Sequence, residues 1–179
     1  MHKDVFEVIE TDHRRLLALM QRLMATTRRA RRTRQSQLEE LREQLLSHLR
    51  VEENFFYPVV MMADADGSVV TADRDHESFR RALAEMEATA VDDASWPEQL
   101  RALYELLAGH IEREELEILE IAQNLLDDRR ARLIGKRFAV MKRQDQGVLA
   151  RRRTHALPTD VGTGTDDAGR MPRPVAAAS

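Results

Sequence analysis

Across residues 38–59, the side chains that one face of a helix would carry are Leu38, Leu41, Leu45, His48, Glu52, Phe55 and Val59, spaced alternately three and four apart. That spacing is the seam of a helix packed into a bundle. At its centre stand an imidazole and a carboxylate where aliphatic groups are expected. A carboxylate buried without partners costs several kcal/mol, on the order of the whole stability of a domain. Any fold that buries this seam must therefore supply something that satisfies His48 and Glu52. A neutral imidazole and a carboxylate one helical turn apart can do this by binding a metal ion together.

The pattern occurs twice. A second seam runs Leu100, Leu103, Leu107, His110, Glu114, Ile118, Ile121 and Leu125. Two further histidines lie on apolar faces, His13 among Phe6, Ile9, Leu16, Met20 and Leu23, and His76 among Ala72, Phe79, Leu83 and Met86. His13 and His48 are 35 residues apart and His76 and His110 are 34 apart, while Asp12-His13 and Asp75-His76 open the two halves. The chain reads as a helical hairpin used twice, each hairpin bringing one His and one His-x-x-x-Glu to the middle of an up-down four-helix bundle.

Composition agrees with an all-α fold and narrows its chemistry. Of 179 residues only seven are Gly and five Pro, and charged residues make up 33%, a helix-favouring balance. With 28 basic and 31 acidic residues the formal charge is −3, so no global field points to nucleic acid or to an anionic membrane. The absence of cysteine excludes disulfides, thiolate metal sites, iron-sulfur clusters and thiol redox chemistry. No apolar run approaches the ~20 residues that span a bilayer, and the charged start Met1-His2-Lys3-Asp4 has no apolar signal region. A cytoplasmic location is the default expectation.

The predicted helices cover about 4–27, 36–57, 73–90, 96–124 and 128–144. The run Arg28-Arg29-Ala30-Arg31-Arg32-Thr33-Arg34 reads as a solvated helix end and turn. Pro58 should end or kink the second helix, and Asp73 is a plausible N-cap for the third. Ser95-Trp96-Pro97-Glu98 has capping-box spacing, and Asp127 can cap the fifth helix. Leu133, Ile134, Phe138 and Met141 give that helix an apolar stripe that packs across the bundle or against a second copy. Residues 1–145 are expected to form one domain, and 146–179 a disordered tail with too little to bury.

Six side chains thus converge: His13, His48, Glu52, His76, His110 and Glu114. The donors are nitrogen and oxygen only, which suits iron, manganese or zinc. Two carboxylates from opposed helices can bridge two metals, leaving coordination positions for solvent and an outside ligand. If no metal is bound, the chain is a helical adaptor, and replacing His48 and Glu52 by leucine should stabilise it. Ferritin-like oxidase chemistry would need Glu-x-x-His pairs, which only Glu10-Thr11-Asp12-His13 offers.

On these residues the chain resembles the hemerythrin-like family of HHE cation-binding domains, in its H…HxxxE…H…HxxxE form. The Glu-Glu pairs and Phe56-Tyr57-Pro58 are similar as well. The resemblance covers roughly residues 5–125. It implies a non-haem di-iron centre, oxo- or hydroxo-bridged, with Glu52 and Glu114 as bridging carboxylates. Oxygen-carrying members have a fifth histidine four residues after the one on the third helix, and an aspartate five residues after the one on the fourth. Here those positions hold Arg80 and Glu115, which disfavours stable dioxygen carriage. Arg80 reads as solvent-facing beside Arg81. Tyr57 is a conceivable replacement ligand, although ideal helical phase points it away from His48, and whether Glu115 ligates is open.

The leading functional expectation is a di-iron protein that reacts with hydrogen peroxide or nitric oxide, in catalase- or peroxidase-like detoxification. The alternative is non-enzymatic dioxygen or iron binding, as sensor or store. The partner is a small molecule, with no nucleic acid and no membrane, and the protein is a monomer or homodimer.

Overall fold

The computed structural model describes residues 3–155, with side chains through residue 145. The described residues are helical throughout, with short connections. Helices α1 (Val5–Met24), α2 (Arg31–Val51), α4 (Ser68–Ala88) and α5 (Trp96–Arg113) form an up-down four-helix bundle. Neighbouring pairs close a ring: α1 on α2, α2 on α4, α4 on α5, and α5 on α1. Short helices α3 (Tyr57–Val60) and α6 (Leu119–Leu125) prolong α2 and α5, each through a π-helical turn, Glu52–Phe56 and Glu114–Ile118. The last helix, α7 (Asp128–His155), packs across α1 and α2. No helix among the described residues is long and apolar enough to cross a membrane.

Local signals set the helix starts, sometimes at other residues than expected. At α1 a reciprocal capping box forms, the Asp4 carboxylate accepting from the Glu7 N–H at 2.9 Å and Glu7 accepting from the Asp4 N–H at 3.3 Å, which satisfies donors left free in the first turn. Helix α4 starts at Ser68, five residues before the predicted cap Asp73. The N-cap position is Gly67, and the first N–H groups are satisfied by Asp64, whose two oxygens accept from Ser68 and Val69 at 3.0 and 2.9 Å. Gly67 makes the turn between them at φ 77°, a left-handed conformation that suits glycine. The Ser95 side chain forms no capping bond to α5; its hydroxyl is held by Asp93 at 2.7 Å. Proline in the first turn, which needs no N–H there, still marks that start. Asp127 does cap α7, accepting from the Arg130 N–H at 2.7 Å.

The basic run differs from its reading as a solvated helix end and turn: its residues 31–34 open α2, five residues before the predicted start near Ser36, and one of them is buried. Arg34 is buried, with its guanidinium 4.6 Å above the Trp96 ring. It donates to the Val91 and Thr26 carbonyls at 2.6 and 3.1 Å, tying the α1–α2 turn to the α4–α5 connection. With Nε donating to Thr26 Oγ1 at 3.0 Å, each of the three guanidinium nitrogens makes a hydrogen bond, as burial of a charge requires.

Two apolar clusters fill the bundle. One, built on Leu16, Leu23, Leu41, Phe79, Leu83, Trp96 and Leu103, fills the end next to that turn. The other, built on Val5, Ile9, Phe56, Val60, Ile118 and Phe138, lies under α7. His13 follows Ile9 of one cluster and precedes Leu16 of the other, and His48 likewise lies between Leu45 and Val51. The polar side chains therefore form a belt between two dry layers.

Helix α7 is longer than expected, reaching His155 instead of ending near residue 144. Its stripe is also rotated. Phe138 is fully buried and Ile134 and Met141 partly so, but Leu133 is 51% exposed and Ala131 is buried instead. Of the expected tail, 156–179 lies outside the described residues.

Candidate metal centre

Each half of the chain brings three of the six predicted side chains to the belt, and all six are at most 1% exposed. Glu52 lies between the two hairpins: its Oε1 is 2.8 Å from His48 Nε2, and its Oε2 is 3.5 Å from His76 Nε2. Glu114 mirrors it, with its Oε2 3.2 Å from His13 Nε2 and 3.4 Å from His110 Nε2. Ligand atoms from His13, His48, Glu52 and Glu114 lie within 4.8 Å of one another, and so do atoms from Glu52, His76 and His110. Glu52 belongs to both sets, as a bridging carboxylate would.

These atoms are close, yet they do not satisfy one another. His13 Nε2, His48 Nε2, His110 Nε2 and both oxygens of Glu52 and of Glu114 are buried without a hydrogen-bond partner of good geometry. Unpaired buried polar atoms cost about 1–3 kcal/mol each, so this concentration at one point calls for an occupant. Imidazole nitrogens and carboxylate oxygens in two overlapping sets fit a pair of nitrogen- and oxygen-seeking metal ions.

The outward nitrogens of the four imidazoles face carboxylates, two of them in hydrogen bonds and two at longer range, with His48 Nδ1 unpartnered. His13 Nδ1 donates to Glu115 Oε1, and His76 Nδ1 to Glu53 Oε1, both at 2.8 Å. His48 Nδ1 is 3.6 Å from Asp12 Oδ2, and His110 Nδ1 is 3.5 Å from Asp75 Oδ2. A proton held at Nδ1 leaves the Nε2 lone pair pointing inward, the tautomer a metal needs. The dipeptides Asp12-His13, Asp75-His76, Glu52-Glu53 and Glu114-Glu115 are thus the sequence trace of an outer carboxylate ring. Glu115 serves in this ring and, in this geometry, stands behind His13.

Two residues lie where phase alone did not put them. Each π turn begins at a glutamate of the centre: the Tyr57 N–H bonds to the Glu52 carbonyl and the Leu119 N–H to the Glu114 carbonyl, five residues back. A π turn inserts one residue and rotates everything after it by about 100°. The buried positions after Glu52 are accordingly Phe56, Tyr57 and Val60, not Phe55 and Val59. After Glu114 they include Leu119 and Ala122, while Leu125 is exposed. Tyr57, expected to point away, is turned inward with its hydroxyl 3.1 Å from His76 Nε2. Because His76 Nδ1 carries the proton shared with Glu53, the Tyr57 O–H is the donor in that contact. Arg80, expected to face solvent, is half-buried and donates to Glu53 at 2.5 Å and to Glu77 at 2.8 Å. It fixes the carboxylate that fixes His76.

The charges are strongly coupled. Burial disfavours the His13, His48 and His110 cations, but the adjacent carboxylates outweigh it, lifting His13 well above the ordinary histidine range and His110 to about 9. Burial likewise opposes ionisation of Glu114, yet the His110 and His13 imidazoles hold its carboxyl far below the usual range. His76 goes the other way, depressed by burial with His110 adding to it. Burial and then the Glu52 and Glu114 charges push the Tyr57 phenol well up, so without a metal it is neutral.

The neighbourhood is lopsided. On the His48 side, α7 places the Phe138 ring 6.2 Å from the imidazole and buries Lys142 against Asp12. The sequence placed Phe138 on the apolar stripe of the last helix but gave no sign that it faces His48, and Lys142 left no signal, since both lie far from any His-x-x-x-Glu. On the His110 side, a cavity of about 620 Å³ opens between the start of α4 and the second π turn, with His110 and Glu114 in its wall.

Fold and site together define a helical-bundle protein whose core is built to bind cations. The chain belongs to the family of the hemerythrin HHE cation binding domain, whose model matches residues 4–122. A similar solved structure is the crystal structure of a hemerythrin HHE cation binding domain-containing protein from Mycobacterium kansasii, 19% identical, with a TM-score of 0.75 over 85% of this chain and 93% of that one. At that identity the likeness speaks for the fold. No curated protein matches the chain. Metal binding, with iron the typical ion, and binding of a small ligand are what this family membership supports. Helix α7, with Phe138 and Lys142, lies beyond the matched residues.

Proposed function

We propose that this is a non-haem di-iron protein that reacts with hydrogen peroxide or nitric oxide, in a catalase- or peroxidase-like detoxifying role. The observation that carries the reading is the pair of fully buried glutamates, each between imidazoles from the two hairpins and each with both oxygens unsatisfied. His13 and His48 would hold one ion, His76 and His110 the other, with Glu52 and Glu114 shared. Iron bound there supplies redox change and open positions for a small oxygen or nitrogen species.

The chain's own contribution is orientation, dryness and proton placement. Glu115 and Glu53 keep the His13 and His76 protons on Nδ1, and Arg80 anchors Glu53. Phe79 and Phe138 wall the imidazoles with apolar surface. Tyr57 stands on the His76 side, where oxygen-carrying relatives would have a further imidazole, and its hydroxyl can serve as an additional oxygen donor or hold a proton beside His76. With Arg80 engaged by Glu53 and Glu77 there is no such imidazole, which favours reaction over reversible dioxygen carriage.

The test is direct. Protein purified under iron supply should hold about two irons per chain, change its absorption on addition of peroxide or nitric oxide, and evolve oxygen from peroxide. His110→Ala should abolish the oxygen evolution. Fewer than about one iron per chain would sink the di-iron reading. A stable oxygenated form released at low oxygen pressure would favour the binding alternative.

A further inference from the structure

We infer that the cavity beside His110 is the route by which divalent metal ions reach the centre, drawn in by its acidic mouth. The inference rests on the metal-centre reading above. Two observations carry it. Glu114, 1% exposed with both carboxylate oxygens unpartnered, and His110, with Nε2 unpartnered, both line the cavity. Its outer wall carries Asp66, Glu117 and Glu120, all exposed, and Asp75. Among the described residues the one cation in the wall, Arg113, is engaged by Asp75 at 2.5 Å, so the mouth keeps a negative excess.

The other approaches are unfavourable for a cation. On the His48 side, Phe138 is fully buried over the ring, and the Lys142 ammonium sits against Asp12. Outside Glu53 a smaller cavity of about 310 Å³ is lined by Arg42, Arg50 and Arg80 together with Glu53 and Glu87. Each guanidinium is ion-paired, Arg42 with Glu87, Arg50 with Asp145 and Arg80 with Glu53 and Glu77, so this wall has no acidic excess. A dication meets apolar packing with a buried ammonium at one door, and at another a wall of ion-paired guanidinium groups with no acidic excess. At the third it meets carboxylates that lead inward to the Glu114 oxygens and His110 Nε2, which no protein group satisfies. Clefts of one sign focus the field and raise the local concentration of the opposite ion, with gains in association rate of about 10- to 1,000-fold. The Asp75–Arg113 pair at the threshold would let the ion exchange its outer contacts stepwise: Asp75 also faces His110 Nδ1 at 3.5 Å.

The experiment follows cobalt(II) uptake by metal-depleted full-length protein in stopped flow, by the growth of its absorption, with helicity checked by circular dichroism. Glu117→Lys combined with Glu120→Lys should slow uptake about tenfold at low ionic strength. The final cobalt per chain should be unchanged, and the difference should shrink as salt is raised. Glu39→Lys combined with Glu105→Lys makes the same charge change away from the cavity, at exposed positions, and should leave the rate nearly as it was. Equal rates for all three proteins, or equal slowing by both variants, would overturn the route while leaving the centre intact. Failure of the unmodified protein to take up cobalt at all would overturn the centre itself, and with it the proposed function.

Discussion

At the scale of single residues, the centre is a set of buried charges whose neutrality depends on what occupies it. Without metal, imidazolium–glutamate contacts supply the missing positive charge. His110 then has a folded pKa of about 9, above its unfolded value of about 6.5. A raised histidine contributes stability that is fully present below the unfolded pKa and lost as pH rises through the folded one. Metal-free protein should therefore lose thermal stability between pH 6.5 and about 9, with His13 and His48 shifted in the same direction. Bound metal displaces those protons, so the loaded protein should gain on the metal-free protein over the same interval. Thermal unfolding at both pH values, with and without chelator, reads the widening gap; a constant gap would count against this charge assignment. Tyr57→Phe should leave the fold and the iron content unchanged. If the phenol ligates, the substitution removes a phenolate-to-iron absorption band, and if it only holds a proton, no such band exists in the parent protein. The six metal-site candidates were legible because a polar residue on an apolar seam is conspicuous, and two such seams coincide. Tyr57 was not, because its direction depends on one inserted residue in the helix before it.

At the scale of elements, the π turns and α7 are where sequence pattern and structure part. The hydrophobic period slips immediately after Glu52, whereas after Glu114 it still holds at Ile118 and slips beyond it, with Leu119 buried and Leu125 exposed. Pro58 explains why the first helix yields there, since it cannot donate to the Asn54 carbonyl; the second turn contains no proline, and the shared feature is the glutamate at its start. A pattern read at constant phase cannot register such a slip. Helix α7 announced itself as an amphipathic stripe, but its partner face is set by contacts distant in sequence. Ser47 and Arg50 bind Asp145 at 3.0 and 2.8 Å, and Gly135 lets the helix approach the start of α1. A Cβ at Gly135 would stand 2.7 Å from the Lys3 carbonyl oxygen and the Asp4 carbonyl carbon, both backbone atoms that cannot swing aside. Gly135→Ala should cost about 1–3 kcal/mol, seen as a lower urea midpoint, and should loosen α7 over the His48 side. Phe138→Ala should cost about 3–5 kcal/mol by opening a cavity in the fully packed cluster. If α7 were only a loosely attached appendage, both variants would unfold like the parent.

At the scale of the molecule, two similar hairpins build one centre whose halves are not equivalent. In each half an aspartate stands behind the second imidazole and is held by a cation. For Asp75 the cation is Arg113, 46% exposed and contributed by the same hairpin. For Asp12 it is Lys142, 10% exposed and contributed by the added helix. Screening and side-chain entropy keep an exposed pair near 0–1 kcal/mol. Breaking a buried pair by removing one partner strands a charge in low dielectric, at about 3–5 kcal/mol. Lys142→Met should therefore destabilise the metal-free protein by about 3 kcal/mol, whereas Arg113→Met should cost less than about 1 kcal/mol. The loss should be largely restored by adding Asp12→Asn to Lys142→Met, because the stranded carboxylate, not the missing ammonium, carries the penalty. Urea unfolding of the parent, Lys142→Met, Asp12→Asn and the double variant in chelator closes a double-mutant cycle. A coupling energy near zero between positions 12 and 142 would mean that α7 covers the His48 half by packing alone; a large one would make the added helix part of the charge balance of the centre.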